Sequence, residues 1–287
     1  MGLVNGPELR RELLSSQRFS AMRRRLLLLS CAVLAAGLAG TGWIAAGLPS
    51  RADVRALTKK NPRTTALMLQ REREAEAREG PAQRRPSWVP LSRISRHLLH
   101  AVIASEDQRF LTHDGVDWTA IRESVEDNVE RGRLWRGGST LTQQLAKNLY
   151  FGTSRTPVRK ARELVVTSWL EKDLSKPRIL VLYLNVIEWG DGIYGCEAAA
   201  RHWLDTSASA LTIEQSAGLA AMIPNSRRIN PQADPRWFER SRERVLRLME
   251  RSSFIGRDVA GLGAEPPPPA ESIEPENALD TLIEFPN

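Results

Sequence analysis

Two hydrophobic patterns divide the chain. An apolar run without a charged residue occupies residues 26–47. Over residues 88–255 apolar residues instead recur every three or four positions, as at Leu141, Leu145 and Leu149. This spacing is typical of amphipathic α-helices. Because sustained alternation is absent apart from short ambiguous runs such as ILVLYL, the pattern predicts a mainly α fold.

The first apolar run is long enough to cross a membrane. At about 1.5 Å per residue it would reach roughly 33 Å as a helix, so we expect a transmembrane helix. A cleaved signal peptide is the alternative, although the apolar cores of signal peptides are about 7–15 residues long. Arg23, Arg24 and Arg25 favour a cytoplasmic N-terminal segment 1–25, but basic residues at 51–60 weaken this charge signal.

Composition divides the rest of the chain into three parts. Residues 48–87 are polar and dense in charge, and we expect a stalk with some helix and no core of its own. Residues 88–255 are predicted to form one domain. Residues 256–287 are rich in proline and acidic side chains, so we expect a disordered tail.

Local signals mark where several helices begin. Thr156 and Ser175 each stand just ahead of a proline that would lie in a first helical turn. Thr212 and Gln215 have the spacing of a capping box. Such side chains bond the N–H groups that a helix start leaves free, so these positions predict three helix N-termini.

The charge of the chain favours an anionic partner. Lys and Arg number 41 against 34 Asp and Glu, a net charge of +7. Nucleic acid, lipid headgroups and a phosphorylated substrate all fit this excess. Cys31 and Cys196 are expected to be free thiols, because a disulfide would join the apolar run to the domain. The four histidines show no metal-ligand spacing.

A carboxylate pair, Glu106 and Asp107, lies at the predicted end of a helix in AVIASEDQRFLTHDG. The helix dipole disfavours negative charge at a C-terminus and tends to raise a carboxyl pKa, which suits a group that accepts and releases a proton. A solvated helix end is the alternative, because exposed Glu-Asp pairs are common.

A glycine turn with Ser139 and Thr140 precedes another predicted helix in WRGGSTLTQQLAKNLYF. Free N–H groups at a helix start bind anions, and Lys147, which shares a face with Gln143, would add positive charge one turn deeper. The spacing is not that of a nucleotide phosphate loop. A capped helix with a polar face is the alternative.

Glu163 lies in a dense group of cations. Arg159 is four residues earlier on the same helix face, and Arg155 and Lys160 are close in sequence. We expect this face to lie away from an apolar stripe formed by Val158, Val165 and Trp169. Such a cationic group suits a leaving pyrophosphate. A solvent-exposed ion pair is the alternative.

Four segments in order resemble the motifs of the peptidoglycan glycosyltransferases, and the likeness to the monofunctional biosynthetic form is close. They are SEDQRFLTHDG, GGSTLTQQLAKNL, RKARE and SKPRILVLYLNVIEWGDGIYGCEAAARHW. The resemblance covers roughly residues 54–249 and ends without a transpeptidase domain, so no transpeptidase activity is expected. Departures are Cys196 in place of a small residue, Leu204 in place of an aromatic, and the acidic tail.

The resemblance implies a lysozyme-like α fold with a large and a small lobe, and lipid II as the substrate. It implies that Glu106 is the general base that deprotonates the acceptor 4-hydroxyl, with inversion at the donor carbon and release of undecaprenyl pyrophosphate. Glu163 is implied to organise cations or to hold a divalent cation, Mg²⁺ or Mn²⁺. The implied substrate-binding residues are Asp107, Phe110, His113, Ser139, Thr140, Gln143, Gln144, Lys147, Arg155, Arg159 and Lys160.

The resemblance also implies partners and location. The partners are lipid II, the growing glycan strand and membrane lipids, with other cell-wall synthases or divisome proteins as further candidates and no nucleic acid. The location is the bacterial cytoplasmic membrane, crossed once. The catalytic domain would be periplasmic, because the precursor is polymerised on the outer face.

The segment VERGRLWRGG between the first two motifs interleaves arginines with Leu134 and Trp135. Arginine and tryptophan are at home at headgroup depth, so we interpret the segment as a membrane-dipping loop. An ordinary basic turn is the alternative.

Two other functions remain open from the sequence. A glycan-cleaving enzyme would also use carboxylates, but it has no pyrophosphate for the cations around Glu163 to neutralise. A non-enzymatic anchor that binds an anionic polymer would need no ordered set of carboxylates and amides.

Overall fold

The computed structural model describes residues 6–78, 87–131 and 138–252. It contains two compact units, residues 1–48 and residues 49–287. Within the described residues most of the chain is helical, and strand is confined to one short hairpin. The prediction of a mainly α fold is therefore confirmed.

The first unit contains one long helix, α1 (Gly6–Ala46). Its segment Leu26–Ala46 has 21 residues, a mean hydropathy of 1.9 and no buried share. By length and composition this segment can cross a membrane, although a signal sequence near an N-terminus has the same properties. The predicted apolar helix is present.

The second unit contains ten α-helices within the described residues. They are α2 (Arg51–Ala56), α3 (Ala66–Glu76), α4 (Arg96–Glu106), α5 (Trp118–Arg131), α6 (Leu141–Tyr150), α7 (Pro157–Asp173), α8 (Lys176–Val186), α9 (Cys196–Leu204), α10 (Ile213–Met222) and α11 (Pro235–Arg251). Strands β1 (Glu188–Gly190) and β2 (Ile193–Tyr194) form an antiparallel hairpin between α8 and α9, with Glu188 opposite Tyr194.

Helix α8 lies in the core of the second unit. All of its residues from Ile179 to Val186 are buried. The run ILVLYL is apolar on every side, which is typical of a helix enclosed by others, so the ambiguity of this run is settled as helix. Helix α6 packs against α7 and α8, and α4 packs against α10 and α11. Hydrogen bonds from α6 to Glu106 and Asp107 join the C-terminal end of α4 to the start of α6, and a bond from Lys160 to Gln143 joins α7 to α6.

The three predicted helix starts are confirmed by their caps. The Thr156 hydroxyl accepts a hydrogen bond from the Arg159 N–H over 3.1 Å at the start of α7. Ser175 makes the equivalent bond at α8. Thr212 and Gln215 form a reciprocal capping box at α10. Each cap satisfies an N–H that the helix itself leaves free.

The described part of the predicted stalk is folded onto the rest of the second unit. Helix α2 packs against α7 and α3 against α6, and the apolar side chains that face inward are Val54, Leu57, Leu67 and Met68. Arg51 also pairs with Asp173 over 2.9 Å. Residues 51–76 thus share the core of the second unit, a packing that the prediction of a polar stalk with no core of its own did not include. These contacts could not be recognised in the sequence, because the segment has few apolar residues among many charged ones.

Two predictions fall outside the described residues. Leu134 and Trp135 of the interpreted membrane-dipping loop belong to residues 132–137, and the acidic tail belongs to residues 253–287. Both stay predictions.

Candidate active site

Glu106 is the last residue of α4 and contacts α6. Its Oε2 accepts a hydrogen bond from Nε2 of Gln144 over 2.9 Å. Burial raises the pKa of Glu106, against the opposing effects of Gln144, Lys147 and Arg244, and Asp107 adds to the rise. The sequence argument invoked the helix dipole, whereas burial is the main cause. A carboxylate with a raised pKa is suited to accept a proton near neutral pH.

Lys147 lies within electrostatic reach of both carboxylates. Its pKa is lowered by burial, while the charges of Glu163 and Glu106 act to raise it. In the part of the chain that the structure describes, no side chain or backbone group hydrogen bonds its ammonium group. The Lys147 ammonium is therefore available to an anion that enters beside Glu106.

Glu163 is buried between two cations of its own helix. One carboxylate oxygen accepts from Nη1 of Arg159 and the other from Nζ of Lys160, the latter over 2.5 Å. Nζ of Lys160 also donates to Oε1 of Gln143 over 3.0 Å. Only 3% of the Glu163 side chain is exposed. The expected group of cations around Glu163 is present, but Glu163 is not a solvent-exposed partner.

The buried face of α7 differs from the predicted one. Its buried side chains are Glu163, Val166, Thr167 and Leu170. The predicted stripe of Val158, Val165 and Trp169 is only half-buried. A carboxylate can be buried when two cations compensate it, so the face that carries Glu163, expected to lie away from the apolar stripe, is the one that is buried.

Six of the predicted substrate-binding residues lie around Glu106 or Glu163. Each of them hydrogen bonds one of these carboxylates, hydrogen bonds a partner of that carboxylate, or interacts with the carboxylate through its charge. They are Ser139, Gln143, Gln144, Lys147, Arg159 and Lys160. Arg155 is exposed just before α7 and contacts neither carboxylate in the described residues. The structure thus brings together residues from three of the four motifs.

The other predicted substrate-binding residues lie beneath the site. Phe110 is fully buried, and Asp107 and Thr140 are buried as well. Asp107 Oδ2 accepts from the Leu141 N–H over 2.9 Å, and the Thr140 hydroxyl donates to the Gly115 carbonyl over 2.6 Å. The side-chain polar groups of Asp107 and Thr140 are therefore used within the fold. Direct contact of Asp107, Phe110 and Thr140 with substrate stays a prediction.

His113 also lies beneath the site, next to Asp107. The Gly115 N–H donates to its Nδ1 over 3.0 Å, so Nε2 carries the proton and donates to Asp107 over 2.9 Å. His113 therefore holds Asp107 in place under the start of α6, and only 8% of its side chain is exposed.

Among residues 6–78, 87–131 and 138–252, the candidate ligands do not fit a resident divalent cation. Potential ligand atoms of Asp107, His113 and Asp117 lie within 4.8 Å of one another. However, Nε2 of His113 carries a proton, and the Asp117 carboxylate accepts from Arg109 over 2.7 Å. Both oxygens of Glu163 are likewise engaged by cations. Cys31 and Cys196 are free, as predicted.

Two functional residues were missed in the sequence. The Tyr183 hydroxyl donates to Oε1 of Gln144 over 3.0 Å, and the charge of Arg244 on α11 acts on Glu106. A tyrosine inside the fully apolar run ILVLYL was a usable signal, because a buried hydroxyl requires a partner. Nothing in the local sequence linked Arg244 to Glu106, which lies far earlier in the chain.

Comparisons with known proteins place the chain in a family. A family model described as transglycosylase matches residues 72–250. The biosynthetic peptidoglycan transglycosylase of Nitrosospira multiformis is 45% identical over 194 residues, which cover 68% of this chain and 84% of the relative. Those of Methylobacillus flagellatus and Laribacter hongkongensis are 48% and 46% identical, over 64% and 66% of this chain and 76% and 83% of the relatives. The chain belongs to the transglycosylase family.

Proposed function

We propose that the chain is a peptidoglycan glycosyltransferase that polymerises lipid II into glycan strands and releases undecaprenyl pyrophosphate. The observation that carries this proposal is the separation of two carboxylates by environment. Glu106 has a raised pKa and one amide partner, whereas Glu163 is paired with Arg159 and Lys160. The names of the relatives agree with this activity.

Glu106 acts as the general base in this proposal. Its carboxylate takes the proton of the acceptor 4-hydroxyl, and the oxygen bonds to the anomeric carbon of the donor strand. The bond from that carbon to the pyrophosphate oxygen breaks as the new bond forms, so the configuration inverts. General base catalysis contributes typically about 10²–10⁴-fold, so other groups must supply much of the acceleration.

The cations stabilise the leaving pyrophosphate. Lys147 offers an ammonium group without a hydrogen-bonding partner in the described residues, and Arg159 and Lys160 lie one helix away around Glu163. Glu163 keeps these two cations in fixed positions and limits their mutual repulsion. Preorganised charges of this kind are usually the largest contribution to catalysis of a charge-separating step. Exposed Arg155 is a further candidate for the pyrophosphate.

The proposed mechanism uses no divalent cation. Both oxygens of Glu163 accept hydrogen bonds from cations, so a metal ion would have to displace Arg159 or Lys160. Positive charge of the protein's own side chains takes the place that Mg²⁺ or Mn²⁺ would fill.

The apolar segment Leu26–Ala46 is proposed as a single membrane anchor. The N-terminus would be cytoplasmic and the domain periplasmic, since lipid II is polymerised on the outer face of the membrane. Anchoring holds the site close to a lipid-linked substrate, and membrane lipids and other cell-wall synthases are proposed as neighbours. Transpeptidation is not part of the proposal.

One assay tests the activity. Purified chain in detergent or vesicles is given lipid II, and in a separate reaction finished glycan, and product lengths are measured. We expect long strands and free undecaprenyl pyrophosphate from lipid II and unchanged glycan. Untouched lipid II would refute the proposal, and shortened glycan would indicate a hydrolase.

A further inference from the structure

Tyr183 lies beneath the proposed base and is connected to it by one amide. Its hydroxyl donates to Oε1 of Gln144 over 3.0 Å, and Nε2 of the same side chain donates to Oε2 of Glu106 over 2.9 Å. Tyr183 comes from α8, Gln144 from α6 and Glu106 from α4. Three helices therefore meet through a single chain of hydrogen bonds.

The donors and acceptors of these two hydrogen bonds follow from the chemistry of Tyr183 and Glu106. Tyr183 is fully buried, and burial holds the pKa of its hydroxyl well above 10.0, so the group stays protonated. An ionised carboxylate only accepts hydrogen bonds. The amide between them can satisfy both ends in one orientation only, with its oxygen toward Tyr183 and its NH₂ toward Glu106.

We propose that Tyr183 is a positioning residue that fixes the Gln144 amide in the orientation that donates to Glu106. The inference rests on the proposed role of Glu106 as the base. Without the phenol, the amide oxygen loses the hydrogen bond that it accepts in this orientation, so the orientation that donates to Glu106 is less favourable. Half a turn of the amide then presents its oxygen to Glu106. A carbonyl oxygen bonds only the protonated acid, so the turned amide would favour the form that cannot act as a base.

Other groups near Glu106 are unchanged by removal of this hydroxyl. The charged or titratable groups that act on Glu106 are Lys147 on α6, Arg244 on α11 and the adjacent Asp107. Tyr183→Phe leaves these three charges in place, so a change in the pH profile after removal of the hydroxyl reports on the amide.

The test is the pH dependence of polymerisation by Tyr183→Phe. We expect the acid limb of kcat to move up by about one pH unit. The fall in kcat should be about fivefold at the original midpoint and approach about tenfold below it, with little change in KM. Tyr150→Phe is a matched control, because Tyr150 is also a partly buried tyrosine and no hydrogen bond joins its hydroxyl to Gln144 in the described residues. An acid limb of Tyr183→Phe that coincides with the unmodified chain would overturn the inference.

Two further measurements separate positioning from a structural role. In a Gln144→Met background, Tyr183→Phe should cause no additional shift, because the link has already been removed. If Tyr183→Phe does not fold, 3-fluorotyrosine at position 183 keeps the shape with a more acidic hydroxyl and should move the acid limb down. An additional shift in the first case, or no shift in the second, would contradict the inference. An inactive unmodified chain would instead refute the proposed function.

Discussion

The backbone N–H of Leu141 donates to Oδ2 of Asp107 over 2.9 Å. This bond joins the C-terminal end of α4 to the N-terminal end of α6, where a carboxylate is favoured by the helix dipole. Glu106 immediately precedes Asp107, and Gln144 lies one turn into α6. The bond thus sets the distance between the proposed base and its amide partner, and it explains why Asp107 is buried.

Glu106→Gln is expected to reduce polymerisation by about 10²–10⁴-fold, because the amide cannot take a proton. The fold should not suffer. A carboxyl whose folded pKa is raised above 4.5 contributes stability at low pH that is lost as pH rises through the raised value, so the glutamine removes a cost at neutral pH. Product length and Tm measure the two effects. Glu214→Gln, at an exposed position, is the control. Retained polymerisation by Glu106→Gln would show that Glu106 is not the general base.

Glu163→Gln is expected to lower both activity and stability. The change leaves Arg159 and Lys160 uncompensated, and it should cost about 1–3 kcal/mol of unfolding free energy, since 40% of the Lys160 side chain is exposed. Polymerisation should fall by about 10²-fold or more. Urea denaturation and initial rates measure these. Glu239→Gln removes an exposed pair with Arg242 and should change little; equal effects of the two substitutions would contradict the assignment.

Polymerisation by the unmodified chain should fall as pH drops through the raised pKa of Glu106. Lys147 lowers that pKa, so Lys147→Met should move the acid limb to higher pH and also weaken catalysis. Burial lowers the pKa of Lys147 from 10.5, which predicts an alkaline limb below that value. Lys147→Arg keeps its charge and should lose the alkaline limb. The measurement is the polymerisation rate from pH 4 to 10. Identical profiles for the unmodified chain, Lys147→Met and Lys147→Arg would exclude a role for Lys147 in catalysis.

Val54→Ala is expected to destabilise the second unit, although the residue lies in the segment predicted as a stalk. Val54 is fully buried where α2 packs against α7, and the lost methyl groups should cost about 1–3 kcal/mol. Denaturation in urea measures the change. Exposed Ala52→Ser serves as the control. A cost for Val54→Ala no larger than that of the control would mean that α2 adds little to the fold.

Much of the candidate site could be predicted from residues close together in sequence. Arg159, Lys160 and Glu163 are three or four positions apart, so any helix places them together. The C-terminal position of Glu106 on α4 also followed from local pattern. The burial of Glu163 and the interior positions of Asp107 and Phe110 did not, because burial depends on which faces the other helices cover.

The sequence by itself determined the apolar helix, the helical class and the helix starts at Thr156, Ser175 and Thr212. Periodicity and capping act over a few residues, so they need no knowledge of the fold. Only the tertiary structure decided that Gln144 meets Glu106 and that Tyr183 supports both. These contacts join residues 38 and 39 positions apart, and they depend on how α4, α6 and α8 pack against their neighbours rather than on any spacing along the chain.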